Sequence, residues 1–184
     1  FHSWLLQGND LAVYNKLIKE LESRGANVIA LASDGSGSRR NATLAFFTEN
    51  GTVKVDCIIA HLHASYAGNL NSTLDLFDSL NVPVINPVHT SMLLNDYLEK
   101  SQGLISELSA WVITPETEGR IEPILIGGSS IDFTDPITGA VVKTFAPYEP
   151  GVRQLVERAI AWANLKRKQN DEKRIALVYI DNTH

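Results

Sequence analysis

The chain has 184 residues, 44% of them hydrophobic and 20% charged, which is the composition of a globular domain with a core and not of a disordered segment. Its net charge of -5 argues against nucleic acid or an anionic membrane surface as a main partner. The one cysteine, Cys57, excludes an internal disulfide, and its apolar surroundings predict a buried structural thiol. No apolar run is long enough to span a bilayer and no signal peptide is visible, which means little in a chain that starts at Phe1; the expected location is cytoplasmic.

Phe1 to Leu6 begins abruptly, and Gly8-Asn9-Asp10 reads as a turn and helix N-cap. Leu11, Tyr14, Leu17, Ile18 and Leu21 then recur at helical spacing, with Gly25 closing the helix. Asn27 to Ala32 is a short apolar strand. Ser33 to Ser38 is a Gly-rich loop without the spacing of a phosphate cradle. A short helix follows over Asn41 to Glu49, ended by Asn50-Gly51. Val55 to Ala60 is a strand apolar on both faces, with His61-Leu62-His63 at its end. A helix is expected over Asn71 to Leu80, a strand over Val82 to Asn86, and a helix capped by Thr90 as far as Lys100.

Trp111 to Thr114 reads as a strand broken by Pro115, and Ile124-Leu125-Ile126 as the next strand. Between them lie Glu116, Glu118, Arg120 and Glu122. Flanked by apolar runs, at least one of these carboxylates is expected near the core edge, where it must be paired, bind a metal or shift its pKa. A solvated turn with Arg120 neutralising a neighbour is the alternative, and Glu118 with Arg120 is expected to be a surface pair. Ile131 to Thr144 is a hairpin or a long loop. Glu149-Pro150-Gly151 starts a last long helix with a basic end. Arg174 to Ile180 is a final apolar strand.

This alternation predicts an α/β domain: a mostly parallel sheet with helices on both faces, three-layered and Rossmann- or flavodoxin-like, its strands near Val28, Ile58, Val84 and Ile175. Residues 1–172 are expected to form one domain, and 173–184 the first strand of a following unit or the last strand of this sheet. The start at Phe1 and the unfollowed last strand suggest a piece of a longer chain. Of the five histidines, four follow an expected strand, where open parallel sheets bind ligands. His61 and His63 point one way on an extended backbone, and His89 ends the next strand in sequence. Three imidazoles there are a candidate site for a divalent metal such as cobalt, nickel or zinc. Loop histidines are commonly just solvated and a His-x-His pair by itself is a weak signal, so residue type alone leaves both readings open.

Pro115-Glu116-x-x-Gly119-x-Ile121-Glu122-Pro123-Ile124 resembles a signature of the large subunit of the cobalt and magnesium chelatases, the CobN and magnesium-chelatase H-subunit family. Leu5-x-x-Gly8-Asn9-Asp10 with Leu21 to Ile29 is similar to its opening strand and first helix. Phe46 to Asp56, Leu80 to Val84, and Ile160 to Lys168 with Glu172 to Ala176 extend the likeness over nearly the whole chain. The resemblance implies tetrapyrrole binding and insertion of a divalent metal, with Co favoured and Mg or Ni as alternatives. It also implies AAA+ partner subunits that use the ATP, and a parent chain far longer than this piece. His61, His63 and His89, with Trp4 and His2, depart from the magnesium branch and favour a cobalt-type or divergent member. The implied site has His61, His63 and His89 capturing metal, with Glu116 or Glu122 facing them and removing macrocycle protons. A non-catalytic tetrapyrrole- or metal-binding module with a chelatase-like fold is the alternative.

Overall fold

A computed structural model describes residues 1–32, 36–63, 65–100, 102–105 and 107–178. The chain opens on a short helix, α1 (Ser3–Gln7), where the resemblance implied a strand. Helix α2 (Ala12–Ser23) buries Val13, Tyr14, Leu17 and Leu21 on one face. Asp10 does not cap it. Its carboxylate accepts the Phe145 N–H at 3.0 and 3.1 Å and ties the helix entrance to the far edge of the sheet. Gly25, at φ 83°, ends the helix as expected, with the Ala26 N–H donating to the Leu21 carbonyl.

Residues 26–32 belong to no strand ladder, so the strand expected at Val28 is absent from the sheet. Val28 and Leu31 still pack against opposite core clusters. Their apolarity specified burial, which the segment achieves without hydrogen bonding to its neighbour. A cleft of about 580 Å³ separates it from residues 54–62.

Residues 33–35 of the Gly-rich loop lie outside the described residues, and Ser36 already starts α3 (Ser36–Phe47). Strands β1 (Thr48–Glu49) and β2 (Thr52–Val53) then pair across Asn50-Gly51, both residues at positive φ, as a two-residue hairpin requires. Strand β3 (Ile58–Ile59) leads to α4 (Leu70–Leu80). There the Asn69 side chain accepts the Ser72 N–H at 2.9 Å, and Asn81 closes the helix at φ 46°.

Strand β4 (Val84–Leu93) runs well past its expected end. Thr90, expected as a helix cap, is a fully buried strand residue opposite Gly128. A Cβ on that glycine would stand 2.8 Å from the Thr90 methyl, so its absence admits the branched side chain. Helix α5 (Leu94–Glu99) follows.

Trp111 to Thr114 is not a strand. Ser109–Ile113 is a π-helical turn continuing into α6 (Thr114–Thr117), and Pro115 stands just past the junction of the two. A four-residue apolar run carries no period that separates helix from strand. Strands β5 (Ile121–Thr134) and β6 (Val141–Pro147) settle the next ambiguity as a hairpin, whose turn has the Asp135 carboxylate accepting the Ile137 and Thr138 N–H groups. Helix α7 (Glu149–Arg167) closes the domain.

The four-stranded sheet has the order β3-β4-β5-β6, the first three strands parallel and the last antiparallel. Alternation along the strands sends Ile58 and Val84 to a cluster with Leu76, Leu80 and Phe47. Ile59 and Ile85 face a second cluster, with Leu17, Leu21, Leu155 and Val156. Helices therefore cover both faces of a mixed α/β, mostly parallel sheet. Residues 173–178 pair with no strand, and Ile175, Leu177 and Val178 are 91, 89 and 88% exposed, so the strand expected at Ile175 does not join this sheet. Tyr179 to His184 lie outside the described residues. No helix among the described residues is long and apolar enough to cross a membrane.

Candidate functional site

The carboxyl edge of the parallel strands carries a nest of imidazoles around one indole. His61 leaves the end of β3. His89 lies within β4 and not in a loop, because that strand continues to Leu93. Both are buried, at 4 and 8% exposure. His61 Nε2 is 2.7 Å from His89 Nδ1, and the Tyr14 hydroxyl bonds His61 Nδ1. The Trp111 ring is 5.0 Å from the His61 ring, 4.4 Å from that of His89 and 5.5 Å from that of His63. The Phe145 ring lies 4.2 Å from that of His89, tilted by 52° to it. His63 is exposed, and its Nδ1 lies 3.1 Å from His2 Nε2.

The fold thus brings His61, His63 and His89 together. It adds His2, Trp111, Tyr14 and Phe145, which the sequence did not point to as site residues. Tyr14 sat in a helical core pattern, and Phe145 lay just past the undecided segment with no role read for it. Only the departure of His2 from the magnesium branch was visible beforehand.

Burial dominates the electrostatics. It holds His61 well below the ordinary imidazole range and lowers His89 to about 4, with Glu107 pulling the other way. His2 is lowered to about 4, first by burial and then by the neighbouring His63. These imidazoles are therefore neutral at pH 7, the form that binds metals and hydrogen bonds. Both nitrogens of His61 are engaged within the nest. Among the described residues no group of three or more His, Cys, Asp or Glu side chains is arranged to hold a metal ion.

Neither Glu116 nor Glu122 hydrogen-bonds to the nest among the described residues. Glu122 sits at the amino end of β5, five residues before Gly127, which pairs with His89, and hence roughly 16 Å down the sheet. Its carboxylate accepts Arg158 Nε at 2.7 Å, Arg158 Nη2, and Trp162 Nε1 at 2.9 Å, all from α7. It does not face the histidines, because a parallel sheet places its two strand ends on opposite edges. Glu116 is exposed on α6, five residues beyond Trp111.

Glu118 and Arg120 are an ion pair, but not at the surface. Their side chains are 1 and 0% exposed and 2.7 Å apart. Arg120 Nη1 donates to the Leu62 carbonyl at 2.6 Å, and Glu118 accepts the Tyr66 N–H at 3.2 and 3.3 Å. Arg39 Nη1 donates to the Tyr66 carbonyl at 2.7 Å. The apolar runs on either side of the charged turn draw it inward, so the pair meets the core.

A mostly parallel α/β domain with side chains gathered at the carboxyl edge of its strands is a ligand-binding class of fold. The CobN/Magnesium Chelatase family model matches residues 1–184, and the chain belongs to that family. It is 30% identical over 185 residues to the magnesium-chelatase subunit ChlH of Oryza sativa subsp. japonica, covering 95% of this chain and 12% of that protein. It is 25% identical over 181 residues to the aerobic cobaltochelatase subunit CobN of Sinorhizobium sp, covering 97% of this chain and 14% of that one. An uncharacterized protein of Methanocaldococcus jannaschii is 27% identical over a 199-position alignment that covers 99% of this chain and 15% of that protein. The fold resembles the catalytic subunit of cobaltochelatase from Mycobacterium tuberculosis, with a TM-score of 0.74 at 15% identity over 95% of this chain and 15% of that chain. The chain spans about 15% of the length of the first relatives it matches.

Proposed function

We propose that this chain is a domain of a cobaltochelatase-type large subunit. In this reading residues 1–172 form the domain and 173–184 begin the next unit of the parent chain. The whole protein binds a tetrapyrrole in the cytoplasm and inserts a divalent metal, cobalt by preference, in cobalamin-type biosynthesis. AAA+ partner subunits use the ATP. His61, His63 and His89 are the metal-meeting groups, with the exposed imidazole of His63 receiving the ion and the buried pair standing behind it. Insertion also needs a base for two pyrrole N–H protons. Glu116 is exposed and untethered by α7, which suits that role. Glu122, bound by Arg158 and Trp162, instead fastens α7 to β5.

The observation that carries this reading is the convergence of His61, His63 and His89 on the Trp111 ring at the carboxyl edge of the sheet. Neutral imidazoles are suited to borderline divalent metals, and an indole edge to the flat face of a macrocycle. The test is a calorimetric titration of Co²⁺ into the full-length protein, above the imidazole titration range. His61→Ala/His63→Ala is expected to weaken binding by about an order of magnitude or more, and Glu122→Gln to leave it unchanged. Equal affinity in all three proteins would return the histidines to a purely structural role.

A second reading, a module that holds a macrocycle without inserting metal, is favoured by one observation: His61 spends both ring nitrogens inside the nest. Metal insertion by the full-length protein with its partners separates the two readings.

A further inference from the structure

We propose that Glu118 and Arg120 are positioning residues, a buried clamp that fixes the loop carrying His61 and His63 against Trp111. The proposal rests on the nest being the functional site, but the clamp itself is argued from contacts that do not involve metal.

Burying two charges carries a large desolvation cost before their attraction is counted, and apolar side chains of similar volume often serve stability as well. Fold stability is therefore a weak reason for this pair. Its hydrogen bonds supply a stronger one. Arg120 spreads its guanidinium fork, one nitrogen to Glu118 Oε2 at 2.7 Å and the other to the Leu62 carbonyl at 2.6 Å. Leu62 lies between His61 and His63, so holding its carbonyl holds the backbone from which both imidazoles project. Glu118 takes the Tyr66 N–H at the far end of the loop. Arg39 holds the Tyr66 carbonyl from α3. Of the described residues in this stretch, 62, 63, 65 and 66 pair with no strand.

The clamp is built by the turn that ends α6. Gly119, at φ 83°, reverses the chain, and the Arg120 N–H donates to the Pro115 carbonyl. α6 continues the helical turn that carries Trp111, whose carbonyl accepts the buried Asn86 amide at 2.6 Å. One continuous unit thus presents the indole on one side and grips the histidine loop on the other. A lysine at 120 would keep the charge but lose the rigid planar fork that holds the carboxylate and the carbonyl in fixed directions.

The test uses the full-length protein and reads carbethoxylation of His61 by diethyl pyrocarbonate, mapped by peptide mass. Two variants are compared with the wild type: Arg120→Lys, and Glu118→Leu/Arg120→Met, which removes the clamp without leaving an orphan charge. Alkylation of Cys57, which packs on the other core cluster, controls for general loosening. The clamp predicts His61 modified at least about tenfold faster in both variants with Cys57 unchanged, and Co²⁺ binding weakened by a similar factor. Faster modification with unchanged Co²⁺ affinity supports the clamp and removes the metal reading. An unchanged His61 rate in the folded double variant overturns the clamp whatever the metal does. If neither variant accumulates as folded protein, the pair is a folding requirement and the proposal falls.

Discussion

His61 Nε2 and His89 Nδ1 share one hydrogen at 2.7 Å, inside a wall formed by Trp111, Tyr14 and Phe145. The shared bond couples their tautomers: whichever nitrogen donates, the other must accept. Protonating both rings would point two N–H groups at each other in a desolvated pocket. The pair is therefore stable only while at least one ring stays neutral.

That coupling sets a pH dependence. Burial depresses the folded-state pKa of His61 and brings that of His89 down to about 4, whereas both titrate near 6.5 in the unfolded chain. The unfolded state therefore binds protons first as pH falls. Stability from the neutral pair is intact above about 6.5 and is lost between about 6.5 and 4. Glu107 faces His89 and opposes part of this loss. Hydrogen-exchange mass spectrometry of the full-length protein should show protection of the β3 and β4 ends falling by about 1–3 kcal/mol between about pH 7 and 5. His89→Gln should flatten the profile. Protection that stays constant over this range contradicts the assignment.

Gly151 should accept no side chain. A Cβ there would lie 1.7 Å from the Leu125 carbonyl oxygen and 2.9 Å from the Tyr148 ring. Gly151→Ala must push the first turn of α7 off β5, at a cost of about 1–3 kcal/mol or more. The expected result is exchange in α7 accelerated by a factor of at least about ten, measured against wild type. A variant indistinguishable from wild type would mean that the helix stands farther from the sheet.

Glu122 inverts an ordinary rule of substitution. It sits at φ 55°, a left-handed conformation that costs an L-residue roughly 1 kcal/mol and glycine almost nothing. Its removal also frees Arg158 and leaves the Trp162 N–H without its acceptor. Glu122→Ala should therefore destabilise by about 1–2 kcal/mol, and Glu122→Gly by less, the reverse of their order in a regular strand. A double-mutant cycle with Arg158→Ala should return a coupling of about 0.5–1 kcal/mol, since the pair is partly exposed. Chemical denaturation midpoints give all three values, and alanine less disruptive than glycine would refute the strain argument.

The sequence by itself determined the α/β class, most helix positions, the span of α4 to within a residue, and the family likeness. These depend on local period, capping chemistry and short motifs that neighbours in the chain specify. The His61-x-His63 pair and the charge buried in the signature were also visible as oddities. Tertiary structure alone decided which apolar runs became strands. Val28 and Ile175 had strand composition, but a strand exists only when a second backbone supplies its hydrogen bonds, and neither finds one here. Thr90 read as a cap until Gly128 opened space opposite it. Glu118 and Arg120 read as a surface pair until the apolar runs beside them drew the turn inward against Leu62 and Tyr66. Glu122 and the histidines are joined by one motif argument in the sequence, yet a parallel sheet holds them on opposite edges, because strand direction is a property of the whole sheet and of no single segment.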